Sequence, residues 1–357
     1  MNQKEKKPLS NGIVLAIGIP AGLVWSLVQF AAVIAGISGL SYIEDAYDGN
    51  EFSTWMSSVN DEAFIKDIVL PGSHDAGTEG MFYAGCTQKY SVADQLDRGV
   101  RYFDLRVNKK GNDLFIFHSI LDGDPFSDVV RDLSSFMKTH PTEFVVLDFQ
   151  HFKNNAYEAT FDLLERNIPE DWFVQNNTPL DDLTYVDSLK IKDVRGKFLV
   201  TVGKEKNEIT RPYHFVRDAD STPREHSVLQ SPYETDENAK PSKKYIEESL
   251  PKYLAQRKAH PEGLFVLQGQ LTDKFLVFGP GFRETGHDWN MSRYLYSLAA
   301  SPDLNYINIV MRDFMDVRKS SEILALNLKK PGIIKDANMH SFATMLQSHL
   351  ITWALNF

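Results

Sequence analysis

Beyond residue 60 the chain alternates short β-type runs with amphipathic helical stretches, and that alternation leaves few folds open to it. Residues 65–70 form an apolar run closed by the turn-forming pair Pro71-Gly72, which reads as a strand ending in a turn. Residues 91–97 read as a helix stopped by Gly99, and 100–107 and 114–118 as strands. Phe126, Val129, Val130, Leu133, Phe136 and Met137 recur at helical spacing ahead of Pro141, which predicts a helix over 126–139. Further strands are expected over 144–149, 198–202, 264–267 and 306–311, and further helices over 157–165, 321–328 and 341–355. Seven strands alternating with helices over about 260 residues favour a single parallel α/β barrel. The polar segment 218–244, with Pro223, Pro232 and Pro241, reads as an excursion on the barrel rim.

Composition narrows the class further. Of 357 residues 43% are hydrophobic, so the chain is neither disordered nor fibrous. The single cysteine, Cys86, excludes a disulfide framework and any multi-thiolate metal centre. A net charge of −10 argues against a nucleic-acid partner.

Residues 8–43 contain no charge, and 13–40 are dominated by Ile, Val, Leu, Ala, Gly, Trp and Phe. As a helix, 13–40 would span about 42 Å, more than the ~30 Å of a bilayer core. Lys4, Lys6 and Lys7 precede it, and Glu44, Asp45, Asp48 and Glu51 follow. The expectation is a cytoplasmic tail over 1–12, a transmembrane anchor over 13–40, a connector over 41–60 and an extracytoplasmic catalytic barrel over 61–357. The alternative is secretion after signal cleavage, although a signal's apolar region is only about 7–15 residues. Residues 41–357 hold 35 basic and 47 acidic residues, a net of −12, so charge does not draw this part to anionic lipid.

The polar residues at the strand ends carry the functional signal. In 101–107 the period of two sets Phe103, Leu105 and Val107 on one face and Tyr102, Asp104 and Arg106 on the other. An Asp and an Arg so placed orient the guanidinium, although such a pair is more often a structural ion pair. His74-Asp75 follows the first strand, His118 ends the third, and Asp313 ends the last. In a parallel barrel such C-terminal ends converge on one mouth. Two histidines divide general base and general acid work, a carboxylate fixes a tautomer, and an arginine matches phosphate oxygens. The set suits cleavage of a phosphodiester by an internal hydroxyl.

At these residues the sequence resembles the phosphatidylinositol-specific phospholipase C X-domain family, the bacterial enzymes and stand-alone X-domain proteins most closely. The matching segments are 70–78, 100–107, 115–119, 144–152, 194–200 and 309–314, in order across about 250 residues. The resemblance implies a distorted TIM-like (β/α) barrel and a two-step phospholipase C reaction on phosphatidylinositol or a related phospholipid. His74 would be the base toward the inositol 2-hydroxyl, held by Asp313. Arg106, positioned by Asp104, would stabilise the phosphorane. His118, assisted by Asp75, would protonate the diacylglycerol oxygen, and water would later open the cyclic phosphate. Arg195 matches a substrate-contacting arginine of the bacterial enzymes, and Gln150 and Gln268 fall among the headgroup contacts. Arg106 stands where calcium-using members have a carboxylate, so no metal is expected. No cofactor and no obligate protein partner are expected either.

Departures bear on the substrate. Gln150 stands where the bacterial enzymes carry a lysine, and near Gln268-Gly269-Gln270 no aromatic matches the one that stacks on inositol. His151, one residue from Gln150, is expected on the opposite strand face. The rival readings are a metal-dependent glycerophosphodiesterase on a similar barrel and a catalytically dead lipid-binding membrane protein. No G-x-S-x-G elbow supports a serine hydrolase. Trp172, Phe173 and Trp289 are candidates for rim aromatics or for core positions.

Overall fold

β1 (Leu70–Ser73) is the strand around which the sheet is organised, pairing in parallel with β10 (Ile309–Arg312) on one side and β2 (Tyr102–Lys110) on the other. The structure, a computed structural model, describes residues 50–203, 211–218, 227–272 and 279–355. Beyond β2 the parallel order continues through β5 (Phe144–Lys153), β6 (Lys197–Val202) and β7 (His214–Val216). Beyond β10 it continues through β9 (Leu264–Gln268) and β8 (Leu229–Gln230). A single parallel bridge, Arg217 to Leu229, joins the two ends of this path. The result is a nearly closed eight-stranded parallel α/β barrel, the architecture the alternation predicts.

Two strands stand outside the ring. β3 (Asp113–His118) and β4 (Leu121–Pro125) form an antiparallel hairpin appended to the outer half of β2. Segment 114–118 is therefore a strand, as expected, but not a stave of the barrel. The segment expected as rim excursion supplies the stave β8, and β7 is a second stave absent from the expected set.

The first strand is displaced from its expected place. Ile65–Asp67 is a 3-10 turn, and Pro71 and Gly72 lie inside β1 instead of ending it. Gly72 is a packing requirement. A Cβ there would meet the Tyr102 ring at 3.0 Å, Ile309 at 3.1 Å and the Met311 backbone at 3.2 Å.

Apolar side chains sort into two layers. Phe103, Leu105, Val145, Leu147, Val200 and Val310 point outward onto the helices, among them Phe126–Thr139 and Ala156–Asn167. Tyr102, Phe144, Val146, Leu199, Val266 and Met311 fill the lower interior with Phe52, Trp55 and Met56. Residues 50–59, the second half of the expected connector, thus form part of the barrel floor. Arg101 and Glu143, both buried, fasten that floor by a 2.8 Å ion pair. The expected anchor over 13–40 lies outside the described residues. Among the described residues no helix is long and apolar enough to cross a membrane.

Candidate active site

The β1–β10 ladder carries one residue past the end of β1, where His74 N–H donates to the Arg312 carbonyl at 3.2 Å. That register sets His74 beside Asp313, and His74 Nδ1 lies 2.6 Å from Asp313 Oδ1. The chain then turns sharply through Asp75, at φ 44°. Asp75 comes to lie against β2, where Ala76 N–H donates to the Asp104 carbonyl at 2.9 Å. Asp75 is buried at the centre of the group. Its Oδ1 is 2.7 Å from Arg106 Nε, and its Oδ2 is 3.3 Å from His74 Nε2 and 3.6 Å from His118 Nε2. Arg106 Nη2 also donates to Asp104 Oδ2 at 3.0 Å, so the guanidinium spans two carboxylates.

His118 reaches the mouth by a different route from the others. β2 runs out beyond the barrel, and β3 returns antiparallel, so the end of β3 falls back at the level of the mouth. His118 Nδ1–H donates to the Gly85 carbonyl at 3.0 Å, which leaves Nε2 to exchange protons. Asp313 Oδ1 likewise accepts from His74 Nδ1–H. Both exchanging nitrogens therefore face Asp75.

Backbone strain marks the same three places. Asp75, Ser119 and Phe314, the residues directly after His74, His118 and Asp313, have φ of 44°, 54° and 49°. Left-handed backbone at a non-glycine residue costs about 1–3 kcal/mol and persists only where surrounding bonds enforce it.

The electrostatics follow from this packing. Burial opposes protonation of His74, but the carboxylates of Asp75 and Asp313, with the Asp313 hydrogen bond, overcome it and raise the imidazole to about 9. Burial likewise opposes the charge of Asp75, yet Arg106 and the two histidines hold its carboxyl below the usual range. Arg106 is kept firmly protonated by Asp104 and Asp75 against the cost of its burial.

A cleft of about 180 Å³ opens above these groups. Gln150 and Gln268 line it, as expected. Gln150 Oε1 is 3.5 Å from Arg106 Nη2, and Gln268 Nε2 donates to Ser231 Oγ at 2.9 Å. Arg195 does not reach it. This residue precedes β6 at the opposite end of the barrel, where its guanidinium bonds Asp61 and the carbonyls of Met56, Val59 and Thr142. Its expected substrate contact is corrected to a floor latch. His151 also departs from expectation. A bulge skips Gln150, so that Leu105 pairs with Phe149 but Arg106 pairs with His151, and His151 lines the cleft.

Several further lining residues carry no clear signal in the sequence. Arg217 follows β7, with Nε 2.9 Å from Asp148 Oδ1. Ser231 and Tyr233 follow β8, and the Tyr233 hydroxyl lies 2.8 Å from Thr272 Oγ1. The mouth thus carries an aromatic, contributed by a stave other than the Gln268–Gln270 segment. The only signal for it was its place after a two-residue strand. Phe173 is a core residue stacked on Tyr213, Trp172 packs partly buried against the core, and Trp289 is exposed.

Ligand atoms of His74, Asp75 and Asp104 lie within 4.8 Å of one another, a spacing that suits a metal ion. The Arg106 guanidinium, however, already bridges Asp75 and Asp104.

Comparison with known proteins adds a family frame. Residues 63–166 match the family model described as PI-PLC X. The chain is 30% identical over 159 residues to a 1-phosphatidylinositol phosphodiesterase of Listeria monocytogenes, covering 41% of this chain and 47% of that protein. A PI-PLC X-box domain-containing protein of Dictyostelium discoideum is 27% identical over 329 residues, 78% of this chain and 41% of that one. The chain spans about half or less of the length of these curated relatives. Among solved structures, the phosphatidylinositol-specific phospholipase C of L. monocytogenes superposes with a TM-score of 0.58 at 19% identity, covering 77% of this chain and 98% of that one. That of Staphylococcus aureus gives 0.60 at 17%, covering 77% and 97%. The barrel is the same fold.

Proposed function

From the match of residues 63–166 to the PI-PLC X family model, we propose that this chain is a phospholipase C-type phosphodiesterase acting by general acid–base catalysis on phosphatidylinositol or a related phospholipid. The observation that carries the reading is the convergence of two imidazole Nε2 atoms and one guanidinium on Asp75, with each histidine's other nitrogen already committed.

In the proposed first step His74 acts in its neutral form, the minor form at neutral pH in the free site, and its Nε2 takes the proton of a headgroup hydroxyl neighbouring the phosphodiester. The freed oxygen attacks phosphorus, and Arg106 neutralises the charge gathering on the phosphoryl oxygens. As the bond from phosphorus to the diacylglycerol oxygen breaks, His118 Nε2 delivers a proton to that oxygen. The products are diacylglycerol and a cyclic phosphate. In the second step the roles reverse: His118 accepts a proton from water, the ring opens, and His74 returns its proton to the hydroxyl. Asp313 holds His74 in the working tautomer, and Asp104 and Asp75 orient Arg106.

The cleft's lining supports a polyol headgroup. Gln150, Gln268, Gln270, Ser231 and Tyr233 offer neutral donors and acceptors, and about 180 Å³ suits a headgroup with the acyl chains left outside. No step is routed through a metal, because Arg106 supplies the positive charge and ties up two of the three candidate ligands. The same proposal includes an uncleaved anchor over 13–40, supported by its uncharged length and by the basic residues before it and acidic residues after it.

The test is phosphorus NMR of the full chain with mixed micelles of inositol and glycerol phospholipids, with and without chelator. A cyclic phosphate as first product, unaffected by chelator and lost in His74→Ala and His118→Ala, is expected. An open monophosphate as first product refutes internal attack, and loss of activity on chelation refutes the metal-free step. Protease protection in vesicles tests the orientation of the anchor.

A further inference from the structure

The two strand ends that present His74 and Asp313 are tied together by a residue that touches neither reacting side chain. Gln88, in the connection between β1 and the helix Val92–Asp97, is fully buried. Its Nε2 donates to the His74 carbonyl at 2.8 Å and to the Arg312 carbonyl at 3.1 Å. Its Oε1 accepts the Met315 N–H at 2.9 Å. Thr87 works beside it: its carbonyl accepts the Phe314 N–H at 2.8 Å, and its hydroxyl is 3.1 Å from the Asp75 carbonyl.

These bonds bracket the two left-handed residues, Asp75 and Phe314. A bulky residue in that conformation needs partners outside its own turn, and here they come from one dipeptide. An amide that bonds the carbonyls of two neighbouring strands fixes the distance between the chains. The 2.6 Å contact from His74 to Asp313 depends on that distance.

We propose that Gln88 is a positioning residue whose carboxamide, and not the strand pairing alone, sets the geometry of His74 against Asp313. The inference deepens the reading of His74 as proton acceptor and rests on it for its catalytic meaning. The groups facing His74 are Asp75 and Asp313, with Arg106 beyond Asp75.

Gln88→Met keeps length and bulk and removes all three bonds. Gln95→Met makes the same change at another fully buried amide, which donates to the Tyr90 carbonyl at 2.7 Å and touches neither strand end. Imidazole NMR of the full chain across pH, with His74 assigned by its loss in His74→Ala, reads the geometry without any substrate. In Gln88→Met the low-field Nδ1 proton of His74 is expected to vanish and its titration midpoint to fall by about one unit or more, while Gln95→Met leaves both unchanged. The kcat for phosphodiester cleavage is expected to fall on the order of 10–100-fold with KM within about threefold. An unchanged His74 titration in Gln88→Met overturns the proposal, as does an equal change in Gln95→Met. If Gln88→Met does not fold, Gln88→Glu keeps the acceptor for Met315 and is read by loss of the low-field His74 Nδ1 proton alone, since the added carboxylate itself raises the titration midpoint. A chain without phosphodiesterase activity that still shows the His74 shift refutes the enzymatic reading and leaves the clamp standing.

Discussion

Asp75 and Arg106 meet at 2.7 Å, with the carboxylate buried and the guanidinium at the cleft wall. The pair makes Asp75 the hub of the site, because its second oxygen faces both histidines. An anionic phosphodiester entering the cleft must share Arg106 with this carboxylate.

Asp75→Asn tests that hub. Removing its charge is expected to lower the His74 pKa from about 9 and to cut kcat by roughly 10²–10⁴-fold, the usual range for acid–base machinery. Imidazole NMR and steady-state kinetics on the same preparation check both parts. A His74 midpoint that stays put contradicts the assignment of Asp75 as a main cause of the shift.

Folding stability is expected to decline on the alkaline side of neutrality. His74 holds its proton up to about 9 when folded but only to about 6.5 in an unfolded chain. Its contribution is therefore complete below about 6.5 and is lost as pH rises to about 9, a change of about 3 kcal/mol. Asp75 works in the opposite sense, its contribution being lost only in acid. Urea melts at pH 6 and 9.5 are expected to show a steeper loss in wild type than in His74→Gln.

Arg195→Ala separates floor from mouth. It removes bonds to Asp61 and to three backbone carbonyls, and is expected to cost about 2–4 kcal/mol of stability while leaving kcat and KM within about twofold. A rise in KM without loss of stability would return Arg195 to the substrate.

Ser119→Gly relieves one of the three left-handed residues that follow His74, His118 and Asp313. Ser119 is exposed and follows His118, so the change is expected to raise stability by about 1 kcal/mol, read as a higher melting temperature. A lower melting temperature would mean that the serine side chain contributes more than the strain costs.

Much of the site was legible because it sits where strands end. His74, His118 and Asp313 were recognisable from apolar runs stopping at polar residues, Asp104 and Arg106 from the alternation within 101–107, and the helix Phe126–Thr139 from its spacing alone. His118 arrived at the expected mouth along an unexpected path, since periodicity does not distinguish a stave from a hairpin. Pro71-Gly72 resembled a turn because the sequence does not reveal that Tyr102 fills the space a side chain would need. β7 and β8, at three and two residues, are too short to show a period, so Arg217, Ser231 and Tyr233 went unseen. The bulge at Leu105/Arg106 reversed the expected face of His151, because one skipped residue inverts alternation.

The single bridge between Arg217 and Leu229 leaves the ring with one weak joint. Arg217, Ser231 and Tyr233 hang beside that joint, whereas the proton-carrying side chains grow from the arc β10–β1–β2 and the hairpin beyond it. Tailoring and turnover are thus mounted on separate sectors of one cylinder. On the proposed function, amino-acid changes along the loose sector would refit the cup to a different polyol while the reacting apparatus keeps its alignment.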